Sequence, residues 1–222
     1  NDAQNDYSKA LDYFKKSLKL DLSFFGENHP SVASGYYNIG YVYFAQGDYS
    51  KALEYFEEVL KIRLSVYGEN HSRVASVYND IGEIYSVQGD DFKALDYFKK
   101  SLKIVLSVYG ENHSQVSSIY DHIGEIYFAQ KDYSKALYYF EESLKIRLSL
   151  FGENHPEVAL SYYSIGSLYI IQGDKSKALN YYEKSLKIRL SVYGENHPLT
   201  KEIMDLINVA NSKVLQSPET TK

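Results

Sequence analysis

The tetrapeptide Gly-Glu-Asn-His occurs five times, beginning at Gly26, Gly68, Gly110, Gly152 and Gly194, each copy 42 residues after the one before. A fixed period of this length means that one supersecondary unit is repeated, and that each copy buries its apolar face by stacking on its neighbours. The unit is clearest between Ser31 and His71. In its first half Tyr36, Ile39, Gly40 and Tyr43 fall at helical spacing, and in its second half Ala52, Phe56, Val59, Leu60 and Tyr67 do the same. Gly47-Asp48 separates the two runs, with Asp48 placed to cap the second. Each unit is therefore predicted to be a helical hairpin.

The other punctuation agrees. Gly68 is expected to end the second helix as a left-handed C′ residue, and Pro30, Pro156 and Pro198 start first helices where a missing N–H costs nothing. Ser72 and Ser114 take that place in the other two units. Gly40, Gly82, Gly124 and Gly166 recur inside a helix, where glycine costs about 0.5–1 kcal/mol relative to alanine. Their repetition predicts close helix packing at that level.

The order Tyr36, Ile39, Gly40, Tyr43, Ala52, Phe56 resembles the tetratricopeptide repeat signature, and the 42-residue unit with Gly-Glu-Asn-His-Pro-x-Val-Ala is similar to the long variety of kinesin light chains and nephrocystin-like proteins. The resemblance runs from about Asp6 to Gln216. It implies an all-α fold: an α-solenoid, a right-handed superhelix of antiparallel helix pairs. The expected division of a single array over 1–216 is a lone helix at 7–25, hairpins at 30–67, 72–109, 114–151 and 156–193, a capping helix at 198–215, and a disordered tail at 217–222. In the last helix Asn208 stands at the glycine position and Asn211 at the tyrosine position, a polar outer face suited to a cap. At the other end, Ala3-Gln4-Asn5-Asp6 matches Ala45-Gln46-Gly47-Asp48, so the chain is expected to start within a repeat and leave an apolar face of 7–25 uncovered for self-association.

Composition narrows the function. With 24 Lys+Arg against 29 Asp+Glu the net charge is −5, which disfavours a nucleic-acid or anionic-membrane surface. There is no cysteine, hence no disulfide, thiolate metal site or cysteine nucleophile, and no apolar run nears the roughly 20 residues that span a bilayer. A cytoplasmic protein is expected. The five Gly-Glu-Asn-His histidines belong to successive repeats, about 8–10 Å apart by helix packing, too far for one zinc ion; structural loop roles are expected. His122, the lone helical histidine, has no nucleophile or base arrangement around it in the sequence. No cofactor, metal or catalytic residue is assigned, and the chain is read as non-enzymatic.

The resemblance implies that the first helices line a concave groove. One position over from the core stripe lie Tyr37, Asn38, Tyr41 and Phe44, then Asn79, Asp80 and Glu83, then Asp121, His122, Glu125 and Phe128, then Tyr163. Relatives of the chaperone-binding and kinesin light chain kinds take acidic peptides, whereas this stripe carries Asp80, Glu83, Asp121 and Glu125 with no lysine or arginine. The expected ligand is a peptide or helical segment bearing Lys or Arg, its apolar groups on Tyr37, Tyr41, Phe44 and Phe128. The second helices alternate in sign at Lys15-Lys16, Glu57-Glu58, Lys99-Lys100, Glu141-Glu142 and Glu183-Lys184, which hints at an 84-residue duplication unit. The alternative reading is a spacer or sensor array of a larger signalling protein, or a self-association scaffold.

Overall fold

The computed structural model describes residues 2–212, with side chains from residue 6 onward. Among these the chain is all-helical: α1 (Asp2–Phe25), α2 (Pro30–Ala45), α3 (Tyr49–Tyr67), α4 (Ser72–Val87), α5 (Asp91–Tyr109), α6 (Ser114–Ala129), α7 (Tyr133–Phe151), α8 (Pro156–Gln172), α9 (Lys175–Tyr193) and α10 (Pro198–Ser212). Two compact units divide at Gly110/Glu111, each containing two hairpins. The expected tail at 217–222 and the end of the expected capping helix lie outside the described residues. No helix among the described residues is long and apolar enough to cross a membrane.

Each boundary has a local cause. Asp48, Asp90, Asp132 and Asp174 cap the second helices, accepting the N–H of the residue three places on. The first helices are capped by histidine: Nδ1 of His29, His71, His113, His155 and His197 accepts an N–H two residues later at 3.1–3.3 Å. Four of these rings also stack on the aromatic residue that closes the preceding helix, at 4.2–4.6 Å between centroids for Phe25–His29, Tyr67–His71, Phe151–His155 and Tyr193–His197. One imidazole thus supplies a helix stop, a helix start and the angle between them. The recurring histidine is a joint.

Gly68 has φ 78 and ψ 172, so the expected left-handed cap is corrected in detail: φ is positive but ψ is extended. That combination is essentially confined to glycine, which makes the residue more constrained than a simple left-handed cap would. At the other turn Gly47, Gly89 and Gly173 have φ 77–83, and Lys131 replaces glycine there with φ 62. α1 begins at Asp2, upstream of the expected 7.

The core repeats with the sequence. Ile39, Ala52, Phe56 and Val59 in the first hairpin, and Ile165, Leu168, Ala178 and Ile188 in the fourth, are buried to 3% exposure or less. A Cβ added at Gly82, Gly124 or Gly166 would lie 2.7–2.9 Å from the ring of Phe98, Phe140 or Tyr182, so these glycines let an aromatic ring lie against the first helix of its own hairpin. The tyrosine stripe forms a half-buried ladder in each hairpin: Tyr55 packs on Tyr36 and Tyr43, Tyr97 on Tyr78 and Tyr85, Tyr139 on Tyr120 and Tyr127, and Tyr181 on Tyr162 and Tyr169. α1 has the same sequence pattern without a first helix against it among the described residues. Tyr13 is 71% and Leu20 58% exposed, whereas Ile62, the counterpart of Leu20, is 3% exposed.

Candidate functional site

The stripe one position over from the core is organised separately in each unit. In the first, Tyr41, Phe44, Asp80 and Glu83 line a narrow cleft of about 20 Å³ whose floor is Phe56. In the second, Glu125, Phe128, Tyr163, Ser164 and Ser167 line a cleft of about 230 Å³ whose floor is Phe140. Phe56, Phe44 and Tyr41 correspond to Phe140, Phe128 and Glu125 exactly two repeats later, so this is one cleft built twice. The difference in volume follows from the wall: Ser164 and Ser167 stand where Asp80 and Glu83 fill the first cleft.

The remaining stripe residues lie around these clefts. Tyr37 packs on Phe56, and its hydroxyl hydrogen-bonds Asp80. Asn79 donates to Glu83 at 2.6 Å, Asn38 is exposed, and Phe44 packs on Tyr49. In the second unit Phe128 meets Tyr133 edge-on, the hydroxyl of Tyr163 donates to Glu202 at 3.0 Å, and His122 is half-buried on α6. Asp121 and His122 do not line the cleft.

The expectation of a stripe without basic groups is corrected, because arginines from the second helices reach into it. Arg147 bridges Asp121 at 2.7 Å and Glu157 at 2.9 Å and donates to Ser161. Arg63 lies over the Tyr37 ring at 5.3 Å and donates to Ser76 and to the Arg73 carbonyl; Arg189 lies over Tyr163 at 4.9 Å and pairs with Glu202. The three arginines share one repeat position, and only Val105 departs from it among the complete hairpins. That recurrence was the available sequence signal, missed because the guanidinium belongs to the other helix.

Charge in the stripe is consequently more differentiated than a row of four equal carboxylates. Burial, with Glu83 nearby, pushes the Asp80 carboxyl up to about 7, against the opposing effects of Tyr37 and Arg63. Asp121 is raised to about 6, again by burial first, with Arg147 opposing it. The Tyr37 hydroxyl is pushed up to about 12 by burial and by Asp80. Near neutrality Asp80 is therefore close to its midpoint and Asp121 faces its own cation. The carboxylates on the cleft walls are Asp80 and Glu83 in the first unit and Glu125 in the second. Among the described residues no group of three or more His, Cys, Asp or Glu is disposed to hold a metal ion.

Antiparallel helix pairs recurring every 42 residues define a helical repeat protein. The tetratricopeptide repeat family model matches residues 3–65, 31–107, 73–149 and 115–191, and the chain belongs to that family. Among solved structures it is similar to BtubC (BKLC) from P. vanneervenii, with a TM-score of 0.75 and 17% identity over 97% of this chain and 95% of that one. It is also similar to a P. anserina kinesin-light-chain candidate of nearly identical TPR-like repeats, with a TM-score of 0.70 and 17% identity over 86% and 91% of the two chains. The apo form of RapI matches with a TM-score of 0.70 and 18% identity over 82% of this chain and 64% of that one. At these identities the likeness is one of fold. No curated protein sequence matches the chain.

Proposed function

We propose that this protein is a non-enzymatic adaptor that binds a peptide or helical segment carrying Lys or Arg through the stripe of its first helices, with a cytoplasmic site of action. Repeats of this family mediate protein–protein interaction. The observation that carries the finer reading is the cleft repeated in both units: an aromatic floor, Phe56 or Phe140, with a carboxylate on its wall, Glu83 or Glu125. In the second cleft an extended alkyl chain ending in a cation satisfies both features, its methylenes against Phe128 and Phe140 and its charge on Glu125, whereas the first cleft is too narrow for such a chain. The wider second cleft has room for a larger side chain, and Ser164 and Ser167 can hydrogen-bond to it. Acidic peptides are disfavoured by the same walls.

Fluorescence polarisation against matched arrays of Lys/Arg-containing and Asp/Glu-containing peptides tests this. Basic peptides should bind preferentially, and the Glu83→Lys/Glu125→Lys protein should lose more than tenfold in affinity for them. An acidic preference, or an affinity unchanged by the double reversal, would overturn the assignment. A second reading has its own support in α1, where Tyr13 and Leu20 are exposed while the counterpart Ile62 is covered. Self-association of two copies through that face predicts a concentration-dependent mass in sedimentation that Tyr13→Ser/Leu20→Ser abolishes; a monomer at all concentrations refutes it.

A further inference from the structure

Two other pockets also copy one another across the units. Glu27, Asn28, Tyr36, Glu58 and Lys61 bound a cavity of about 360 Å³ in the first unit. Glu111, Asn112, Tyr120, Glu142 and Lys145 bound one of about 340 Å³ in the second, where Tyr138 adds an aromatic wall. The two sets are 84 residues apart throughout. Each pocket sets two carboxylates against one lysine. Those lysines sit at the rim: Lys61 is 3.6 Å from Glu58 and 72% exposed, and Lys145 is 3.5 Å from Glu142 and 76% exposed.

The intervening hairpins show what the same frame does with a different residue. At the position of Glu58 and Glu142, the second and fourth hairpins carry Lys100 and Lys184. The Lys100 ammonium lies over the rings of Tyr78 and Tyr97 at 6.0 and 4.8 Å, and that of Lys184 over Tyr162 and Tyr181 at 5.4 and 5.3 Å. Tyr78 and Tyr162 are the counterparts of Tyr36 and Tyr120. The even hairpins therefore hold a resident ammonium against the tyrosine pair. In the odd hairpins a glutamate takes the place of that cation and adds its own charge beside the same rings. Tyr36 and Tyr120 line these pockets together with the carboxylates, and both phenols are raised by burial first, with the two pocket carboxylates adding to the shift.

We propose that the pockets at Tyr36 and Tyr120 are receptors for a primary alkylammonium group, supplied either by a lysine side chain of a partner protein or by a free amine. The incoming group takes the position that Lys100 and Lys184 occupy in their own hairpins, with an aromatic ring beneath it and two carboxylates beside it. Asn28 and Asn112 add a carboxamide oxygen to the wall. The site shares no residue with the clefts of the first helices, so it stands or falls independently of the peptide-binding proposal.

The test is a fluorine NMR titration of the full chain labelled with 3-fluorotyrosine, the Tyr36 and Tyr120 signals being assigned by Tyr→Phe replacement. n-Butylammonium should shift both signals saturably, and n-butanol, its uncharged match, should need at least tenfold more. Glu142→Lys installs the residue that the fourth hairpin already carries at this place, so folding is retained. It should abolish the Tyr120 response and leave that of Tyr36. Glu141→Lys makes the same charge change one residue away and should leave Tyr120 within twofold of the parent, as should Glu83→Lys/Glu125→Lys. Equal losses in Glu141→Lys and Glu142→Lys, or equal responses to butanol and butylammonium, overturn the proposal. The peptide Ac-Gly-Lys-Gly-amide separates the sources: binding as tight as butylammonium identifies a protein lysine, and failure to bind identifies a free amine.

Discussion

The largely buried carboxyl of Asp80 gives the stripe a pH dependence whose sign can be worked out. The unfolded chain releases this proton near the ordinary value of 3.8, whereas the folded protein holds it up to about 7. Between those values the folded state binds more protons, so the contribution of Asp80 is most favourable below about pH 3.8 and is lost as the pH rises through about 7. At 1.36 kcal/mol per pH unit the interval corresponds to about 4 kcal/mol. Other carboxylates oppose this: Asp48, Asp90, Asp132 and Asp174 are held below their ordinary value, chiefly by the hydrogen bonds of the lysine three residues on. The measurement is therefore a difference. Asp80→Asn keeps an acceptor for the Tyr37 hydroxyl and cannot ionise, so urea unfolding of parent and variant at constant ionic strength isolates the one group. Relative to the parent, the variant should gain roughly 2–4 kcal/mol between pH 4 and pH 8. A carbon-13 titration of the Asp80 carboxyl should place its midpoint near 7. Parallel stability curves for the two proteins, or a midpoint below about 5, would show that water or Arg63 solvates Asp80 well enough to keep it an ordinary carboxylate.

Two further outcomes concern the repeat itself. In Gly82→Ala the new Cβ would lie 2.9 Å from Cδ1 and Cε1 of the fully buried Phe98, so over-packing of about 1–3 kcal/mol should outweigh the gain in helix propensity and lower the urea midpoint. Gly35→Ala, whose Cβ would meet Leu18 Cδ1 at 3.0 Å and Leu18 Cβ at 3.3 Å, should cost less than Gly82→Ala, and a Gly82→Ala protein as stable as its parent would refute the close-packing account. Lys131→Gly relieves a positive-φ lysine of about 1 kcal/mol at an entropic cost near 0.5, and the small net stabilisation should register as a raised Tm.

The fold was legible because every boundary is written in residues that act locally. Asp48 and its counterparts cap through their own backbone neighbours, and Pro30 and Gly68 restrict only their own dihedrals, so no knowledge of distant contacts was needed. Interior glycines were legible for a related reason: a residue that weakens a helix four times in register must answer to something packed on it, and Phe98, Phe140 and Tyr182 are those partners. The stripe was legible as a set of positions and illegible as a field. Helical periodicity identifies which side chains share a face. It says nothing of a guanidinium on a long side chain arriving from the second helix, as that of Arg147 does at Asp121. Nor does it give the depth at which a carboxyl such as that of Asp80 sits. The histidine joints fall between these cases: their structural role followed from spacing, but the stacking on Tyr67 and Phe151 depends on the angle between consecutive helices.

Two periods coexist in this chain, and they divide its work. The 42-residue period governs what holds the hairpins together: the aspartate and histidine caps, the aromatic residue beside each interior glycine and the tyrosine ladder recur in all four hairpins. The 84-residue period governs the pockets found within each unit. The aromatic-floored cleft recurs at that spacing, and so does the pocket beside Tyr36 and Tyr120. Stability does not explain the longer period. A lysine at the surface over half-buried tyrosines gains about 0.5–1 kcal/mol, and an exposed ion pair such as Glu58–Lys61 is worth about 0.2–1, so exchanging one for the other is nearly neutral. What the exchange does change is chemistry: the even hairpins place a further lysine over Tyr78 and Tyr97 or over Tyr162 and Tyr181, whereas the odd hairpins keep lysines only over Tyr43 and Tyr127 in the contacts described and set two carboxylates in the pocket with Tyr36 or Tyr120. A frame repeated for packing at one interval thus varies its pockets at twice that interval, and under the proposal made for Tyr36 and Tyr120 substitutions at Glu58 or Glu142 should alter what the protein holds far more than how firmly it folds.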